Sequence, residues 1–427
     1  MPQLIGTGRP WVPVKDVPGG DIGSVHGRAP SPGNQYYGPF IYNGNYYCVV
    51  EVGQPSNSYW ADWYLAVMKS ATGGPTAADW TEVDVGDHPI GHEANCSIFK
   101  SGNILYIAYK KRNTSAAGDY NLTIVSFNLT TEQWGSIATG GPNPGGGATG
   151  TKMVIRPNGN YVILTNTGTN RNATDFPTQG VHYTIYSGSW GAPVLVSPDD
   201  PDYKSQQIQL DNVTANLVHF YYVYAGYDAS DYKHRSLNAA NALGTAQALY
   251  TASTLMWALG VPTSYAGKLY IPCADDTGAV YYPNVLVGTS EGDADPTWAL
   301  GPISSTVKIM PASNPDNNAS FALLDSVGNL VVFWVTPIPN TGMGVLNYLM
   351  YSTYAGVSWS DPAVWVMDEP TNAYQDWWHN PSVVLEGTKF EIVIDRIHRT
   401  ADNNAWSVAG YLYTAPTAGV QGVPYTW

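Results

Sequence analysis

Gly102-Asn103-Ile104-Leu105-Tyr106-Ile107-Ala108-Tyr109 is a tight turn that opens into a run of β-branched, apolar and aromatic residues. A Gly-Asn turn reverses the chain cheaply, because glycine reaches left-handed backbone angles without a steric penalty. The residues after it favour a pleated, half-buried surface. Cys96-Ser97-Ile98-Phe99 stands just before the turn, so the two runs read as a hairpin. The phrase returns at Gly44-Asn45-Tyr46, Gly159-Asn160-Tyr161, Ala215-Asn216-Leu217, Gly267-Lys268-Leu269, Gly328-Asn329-Leu330 and Gly387-Thr388-Lys389-Phe390, at intervals of 52 to 61 residues. A period of this length, filled with strands, predicts a β-propeller with one blade per repeat.

Each repeat carries more than the hairpin. A third run follows, as in Leu122-Thr123-Ile124-Val125-Ser126-Phe127, and then a recurring tryptophan: Trp80, Trp134, Trp190, Trp298 and Trp359. The fourth repeat keeps its length but lacks this tryptophan. The last repeat has its hairpin and a third strand near Ser407–Tyr413, but no fourth. Pro10-Trp11-Val12-Pro13-Val14 resembles Asp79-Trp80-Thr81-Glu82-Val83, so residues 10–16 are expected to supply the missing outer strand and leave no open edge between first and last blades. The expected fold is all-β: a single seven-bladed propeller of four-stranded antiparallel blades over residues 1–427, centred near 44, 102, 159, 215, 267, 328 and 387, with the ring closed by the N-terminal strand.

Composition narrows the function. Charged residues make up 12% of the chain and the net charge is −14, the opposite of a nucleic-acid footprint or an anionic-membrane binder. No apolar run is long enough to span a bilayer, and no basic segment followed by an apolar core marks a signal peptide at the N-terminus. The 3 cysteines, Cys48, Cys96 and Cys273, show no metal-ligand spacing and read as buried free thiols; no metal or cofactor is expected. Abundant Gly, Asn, Thr and Tyr, low charge and a rigid β-architecture suit an extracellular or virion-surface protein.

Two resemblances follow from particular residues. Ser352-Thr353-Tyr354-Ala355-Gly356-Val357-Ser358-Trp359 resembles the Asp-box turn of sialidase-like propellers, with Tyr354 where that family has its Asp and Ser358 where it has Thr. The resemblance implies a scaffold rather than an activity. His379-Asn380-Pro381-Ser382 and Asp395-Arg396-Ile397-His398 resemble the paired hairpin motif of ulvan-type polysaccharide lyases, with one residue fewer between the histidines and no Tyr-Asp before the second. That likeness implies His379, His398 and Arg396 as catalytic residues if the protein is an enzyme.

In a propeller blade, the start of strand one and the end of strand two meet at one rim. Residues from these positions surround a common mouth. The candidates are Tyr36, Tyr37, His92, Glu93, Asn95, Trp257, Trp377, Trp378, His379 and Asn380 from the first group, and Arg112, Asp395, Arg396 and His398 from the second. Lys110, Lys152, Arg171 and Gln207 occupy similar positions. Aromatic faces cover the C–H side of a pyranose, and amides, carboxylates and guanidinium groups pair with its hydroxyls. The expected partner is a glycan or polysaccharide, bound by a lectin-like or adhesion module, with other virion proteins as further partners.

Three other readings stay open. A sialidase needs three convergent arginines, and the chain has 8, without that family's Arg-Ile-Pro segment. A glycosidase needs two carboxylates flanking the bond, for which Glu93 with Asp395, or Asp275 with Asp276, are candidates. A lyase needs a cation on the uronate carboxylate and a base, which Arg396, His379 and His398 offer. A purely structural virion protein would need none of these.

Overall fold

The computed structural model describes residues 12–16, 36–53, 63–71, 81–83, 96–113, 119–145, 151–168, 170–213, 216–226, 229–249, 256–257, 259–276, 281–305, 320–339, 345–367, 376–386, 389–399 and 406–416. Every regular element among them is a strand. β1 is Val12–Asp16. The first sheet holds β2 (Tyr36–Tyr42), β3 (Asn45–Gly53), β4 (Trp63–Ser70) and β5 (Thr81–Val83). The second holds β6 (Ser97–Ser101), β7 (Ile104–Arg112), β8 (Tyr120–Asn128) and β9 (Gln133–Ala138). The third holds β10 (Lys152–Ile155), β11 (Tyr161–Asn166), β12 (Val181–Tyr186) and β13 (Val194–Leu195). The fourth holds β14 (Tyr203–Leu210), β15 (Val218–Gly226), β16 (Ala229–Leu237) and β17 (Gln247–Ala248). The fifth holds β18 (Met256–Trp257), β19 (Thr263–Tyr265), β20 (Lys268–Asp276), β21 (Tyr281–Gly288) and β22 (Trp298–Pro302). The sixth holds β23 (Ser320–Leu324), β24 (Leu330–Pro339), β25 (Val345–Tyr354) and β26 (Ala363–Met367), and the seventh begins with β27 (Asp376–Glu386), β28 (Lys389–Arg399) and β29 (Trp406–Pro416).

The described strands thus pair into seven antiparallel sheets, each a meander from an inner to an outer strand, and the architecture is a β-propeller of four-stranded blades. The seventh sheet runs β27-β28-β29-β1, with Val12 opposite Leu412 and Pro13 opposite Tyr411. Trp11 lies outside the described residues, one position before this pairing. The fifth sheet departs from the pattern. Its inner strand is split, and both β18 and β19 pair with β20. Between them Val261 leaves the sheet to bond the next blade, donating to Ser320 O at 3.2 Å and accepting from Ala322 N at 3.1 Å.

The turns follow from the repeated phrase. Asn43 and Gly44 (φ 49° and 75°) and Ala266 and Gly267 (50° and 74°) are left-handed pairs, the geometry whose twist matches a two-residue hairpin.

Among the described residues, sheets two to six bury both faces, which explains their nearly unbroken apolar strands. In β7 the period of two sends Leu105, Ile107 and Tyr109 into a core shared with the first sheet, and Tyr106 and Ala108 into a core shared with the third. Similar cores lie between sheets three and four, four and five, and five and six. Between six and seven, Phe333 meets Phe390 edge-on at 5.2 Å. β2 in turn lies against β27 and β28, bringing the first sheet beside the seventh. At about 1.5–3 kcal/mol per buried aliphatic or aromatic side chain, these interfaces dominate the stability.

The tryptophan series is part of this packing. Trp134, Trp190, Trp298 and Trp359 each pack against the core shared with the preceding sheet; Trp80 is outside the described residues. Polar ties reinforce the joints. Glu132 accepts from Lys69 and from Tyr47 Oη (3.0 Å), linking sheets one and two, and its carboxyl is held below the usual range, chiefly by Lys69. Arg156 donates to Asn241 Oδ1 at 2.6 Å and Asn238 O at 2.8 Å, and Arg235 to Val196 O at 2.8 Å, linking sheets three and four. The thiols of Cys48, Cys96 and Cys273 are free and buried; Cys96 stands just ahead of β6 rather than inside a strand.

Candidate functional site

The seventh sheet carries the densest group of candidates. Register pairs Asp376 with His398, Trp377 with Ile397, Trp378 with Arg396, and His379 with Asp395. The start of β27 and the end of β28 therefore share one end of the sheet. The pairing then slips: Asn380 and Pro381 together oppose Ile394 before Ser382 meets Val393. A bulge is where a strand accommodates proline, which has no N–H to give the ladder.

The slip has a chemical consequence. With a period of two, Asp376, Trp378, Arg396 and His398 occupy positions on one face of the hairpin, and Trp377, His379, Asp395 and Ile397 positions on the other. The lyase-like trio of His379, Arg396 and His398 is thus split between two faces. Arg396 and His398 stay together, and His379 is grouped with Asp395.

β2, which lies against this hairpin, repeats the device. Tyr36 pairs with Val50 and Tyr37 with Val49, then Gly38-Pro39 interrupts the register before Phe40 meets Tyr47. Gly38 has φ 125°, and a Cβ there would stand 2.9 Å from Tyr47 O, so only glycine fits. Two neighbouring inner strands therefore each carry an X-Pro bulge just inside the end where Tyr36, Tyr37, Trp377, Trp378 and His379 lie. Bulges at such rims re-aim the residues beyond them.

The other candidates divide. Arg112 closes β7 opposite Tyr120, Trp257 pairs with Ala274 at the start of the fifth sheet, and Asp275 and Asp276 end β20. His92, Glu93 and Asn95 lie outside the described residues. Several polar residues near strand ends turn inward instead. Lys110 is buried, Gln207 is buried with its amide 3.4 Å from Leu259 O, and Arg171 donates to Phe176 O at 2.8 Å and Pro177 O at 3.2 Å. Arg156, Arg171 and Arg235 are all spent on the scaffold. A three-arginine carboxylate site would have to be built from the remaining five.

The fourth sheet also holds a buried imidazole pair that no sequence motif marks. His219 Nδ1 and His234 Nε2 are 2.9 Å apart, and His219 Nε2 is 2.9 Å from Glu291 O. A carbonyl only accepts, so His219 carries its proton on Nε2 and His234 donates to His219 Nδ1. Both are fully buried, and desolvation pushes both pKa values down, His234 well below the ordinary value. They sit inside the blade, reached by no open surface, and hold β15, β16 and the Glu291 turn together. A cross-strand pair at Tyr221–His234 leaves nothing in local sequence to distinguish them from surface residues.

Comparison with known proteins supports the architecture. No family model matches the chain, and no curated protein sequence matches it. Among solved structures, an ulvan lyase of a polysaccharide lyase family, bound to -[GlcA(1-4)Rha3S]-, superposes with a TM-score of 0.52 at 10% identity, covering 90% of this chain and 94% of that one. A second structure of the ulvan lyase gives 0.53 with the same identity and coverage. An α-L-arabinanase from Penicillium chrysogenum gives 0.47 at 12% identity, covering 95% and 98%. At these identities the likeness to the ulvan lyase is one of fold.

Proposed function

We propose that this protein is a carbohydrate-recognising propeller, an extracellular or virion-surface glycan-binding or adhesion module. On this reading the seven sheets are the blades of one ring, latched by β1. The working surface is the mouth at the end where β2, β27 and β28 meet, extended by His92, Glu93, Asn95 and Arg112 of the neighbouring blade. The observation that carries the reading is the register of the seventh sheet. It gathers two adjacent tryptophans, two histidines, an arginine and two aspartates within four consecutive pairs, beside the tyrosines that open β2. Aromatic carbon with charged hydrogen-bonding groups is the chemistry of sugar recognition. The propeller fold shared with a lyase acting on a glucuronate-containing polysaccharide supports an acidic glycan as the first ligand to try, with Arg396 as the carboxylate partner.

A lyase is the second reading, favoured by the grouping of Arg396 with His398. A glycan array run beside an ultraviolet screen on uronic-acid polymers separates the two. Array binding without turnover supports the lectin. Rising absorbance from unsaturated products supports the lyase. Silence in both overturns carbohydrate recognition at the mouth and favours a structural role, with partners docked on the outer faces of the ring.

A further inference from the structure

The joint between the second and third sheets opens into a groove of 610 Å³, lined by no described residue of the seventh sheet. Asn113, Asp119 and Asn121 line one side, from the loop between β7 and β8 and the start of β8; Thr174 and Asp175 line the other, and Trp190 contributes an aromatic wall. Three features of this groove belong together.

First, the lining holds two carboxylates, several amides and a hydroxyl, and no lysine, arginine or histidine among the described residues. With a net charge of −14 on the whole chain, this is a poor place for a polyanion and a good one for hydroxyl groups. Part of the polar inventory is spent internally: Asp119 Oδ1 accepts from Asn113 Nδ2 at 3.2 Å, and Asp175 Oδ2 from Asn143 N at 2.9 Å. The second carboxylate oxygens, the Asn121 amide and the Thr174 hydroxyl remain to bind a polyol.

Second, the aromatic wall is fixed and offers carbon. The Trp190 indole N–H donates to Thr139 O at 3.1 Å, so the donor is used and the ring is tied to the joint. Tyr186 backs it at 5.3 Å. Gly141 makes room for it, since a Cβ there would come within 2.7 Å of the indole.

Third, the walls are preorganised. Asn172 N donates to Asn143 O at 3.2 Å and Gly168 N to Pro144 O at 3.0 Å, tying the β11–β12 loop to the connection between the blades. A site ordered before binding loses little entropy on capture.

We propose that this groove is a second glycan subsite, selective for neutral sugars, and independent of the β27–β28 hairpin. An indole face held by its own hydrogen bond among amide, hydroxyl and carboxylate groups, with no cation among the described lining residues, matches a neutral pyranose and disfavours a uronate or sialate.

The test is isothermal titration of the full chain with cellohexaose, xylohexaose and mannohexaose, and with oligogalacturonate as the acidic probe. Two groove variants are compared, with melting curves checking that each is folded. Ala192→Trp fills the groove from an exposed lining position, and Asn121→Ala with Thr174→Ala removes two hydroxyl-binding groups. At least one neutral hexasaccharide is expected to bind, with affinity lowered about tenfold or more in both variants, on the order of one lost hydrogen-bonded contact or more. His379→Ala with Arg396→Ala should leave that binding unchanged. The proposal is overturned if no neutral probe binds at millimolar concentration, if the groove variants bind as the parent does, or if the mouth variant alone abolishes neutral binding. Oligogalacturonate binding reports on the mouth separately, so loss of one reading leaves the other measurable.

Discussion

Acidifying the protein from pH 7 to pH 5 should weaken it through buried imidazoles, and His182 lets the size be worked out. His182 lies in β12 at 1% exposure, with the Phe176 ring edge-on at 5.1 Å. Its Nδ1–H donates to Gly180 O at 3.2 Å, and its Nε2 accepts from the Thr178 hydroxyl at 2.9 Å. Both ring nitrogens are therefore satisfied in the neutral form, and it is the desolvation of a charged ring that disfavours a second proton. Burial pushes its pKa down to about 4 from 6.5. The folded state then binds fewer protons than the unfolded state between these values, so stability is greatest above the unfolded pKa, falls as pH drops towards 4, and levels off below. At about 1.36 kcal/mol per pKa unit, the whole difference is about 3 kcal/mol, of which about 1.8 kcal/mol falls between pH 7 and pH 5. His219 and His234 add in the same direction, being depressed by the same cause. Urea denaturation at pH 7, 6 and 5 and constant ionic strength measures the effect, with tryptophan fluorescence as the signal. His182→Gln should lose about 1.8 kcal/mol of the parent's pH dependence over that window, whatever its stability at pH 7. If the variant and parent change in parallel, the imidazole is not kept neutral by the fold and the reasoning fails.

Trp134→Ala should cost about 3–5 kcal/mol in chemical denaturation, because the indole packs on the core between sheets one and two and meets Phe127 edge-on at 5.1 Å; a loss under about 1 kcal/mol would contradict that role. Deleting residues 1–16 removes the β1–β29 ladder and should lower stability by several kcal/mol, on the order of a large core truncation; an unchanged melting temperature would count against ring closure by this strand. Trp378→Ala and His379→Ala should each weaken glycan binding on an array while leaving the melting temperature nearly intact. If turnover of a uronic-acid polymer is found, it should fall as the catalytic base protonates, near the ordinary histidine pKa of about 6.5, and vanish in His398→Ala; full activity in that variant would remove His398 from the mechanism.

The scaffold was legible wherever local chemistry repeats. Turns at Gly44, Gly102, Gly159, Gly267 and Gly328 take the positive φ that the repeated phrase predicts. The pairing of β1 with β29 follows from matching Pro10–Val14 to Asp79–Val83. Even the missing tryptophan of the fourth repeat has an explanation. Trp190 bridges back to Tyr186 and Trp359 to Tyr354, and in the fourth sheet Leu243 makes the same bridge to Leu237. The Asp-box-like segment runs from the end of β25 into the turn before β26, where Ser352 Oγ donates to Ser360 O at 2.7 Å.

The site was less legible because a strand-end position does not say which way a side chain is used. Arg171, Lys110 and Gln207 share the rim pattern with Arg396, yet Lys110 and Gln207 are buried and Arg171 is spent on carbonyls of its own loop. The split of His379 from Arg396 depends on one bulge, which Pro381 hints at but does not fix. The groove beside Trp190 draws on segments up to 80 residues apart, from Asn113 to Pro193. Trp190 itself was readable only as a packing residue, and its second role appears only when the neighbouring loops are in place.

The β1–β29 pairing also sets a timetable. The latch strand is made about 400 residues before its partner. At about 5–20 residues per second, the latch waits roughly 20 to 80 seconds for its mate. Until then the nascent chain is an unclosed arc whose first and last blades lack their neighbours. Its vulnerability to proteases and to strand exchange between nascent copies should be concentrated in that interval, and should end abruptly when the final blade arrives.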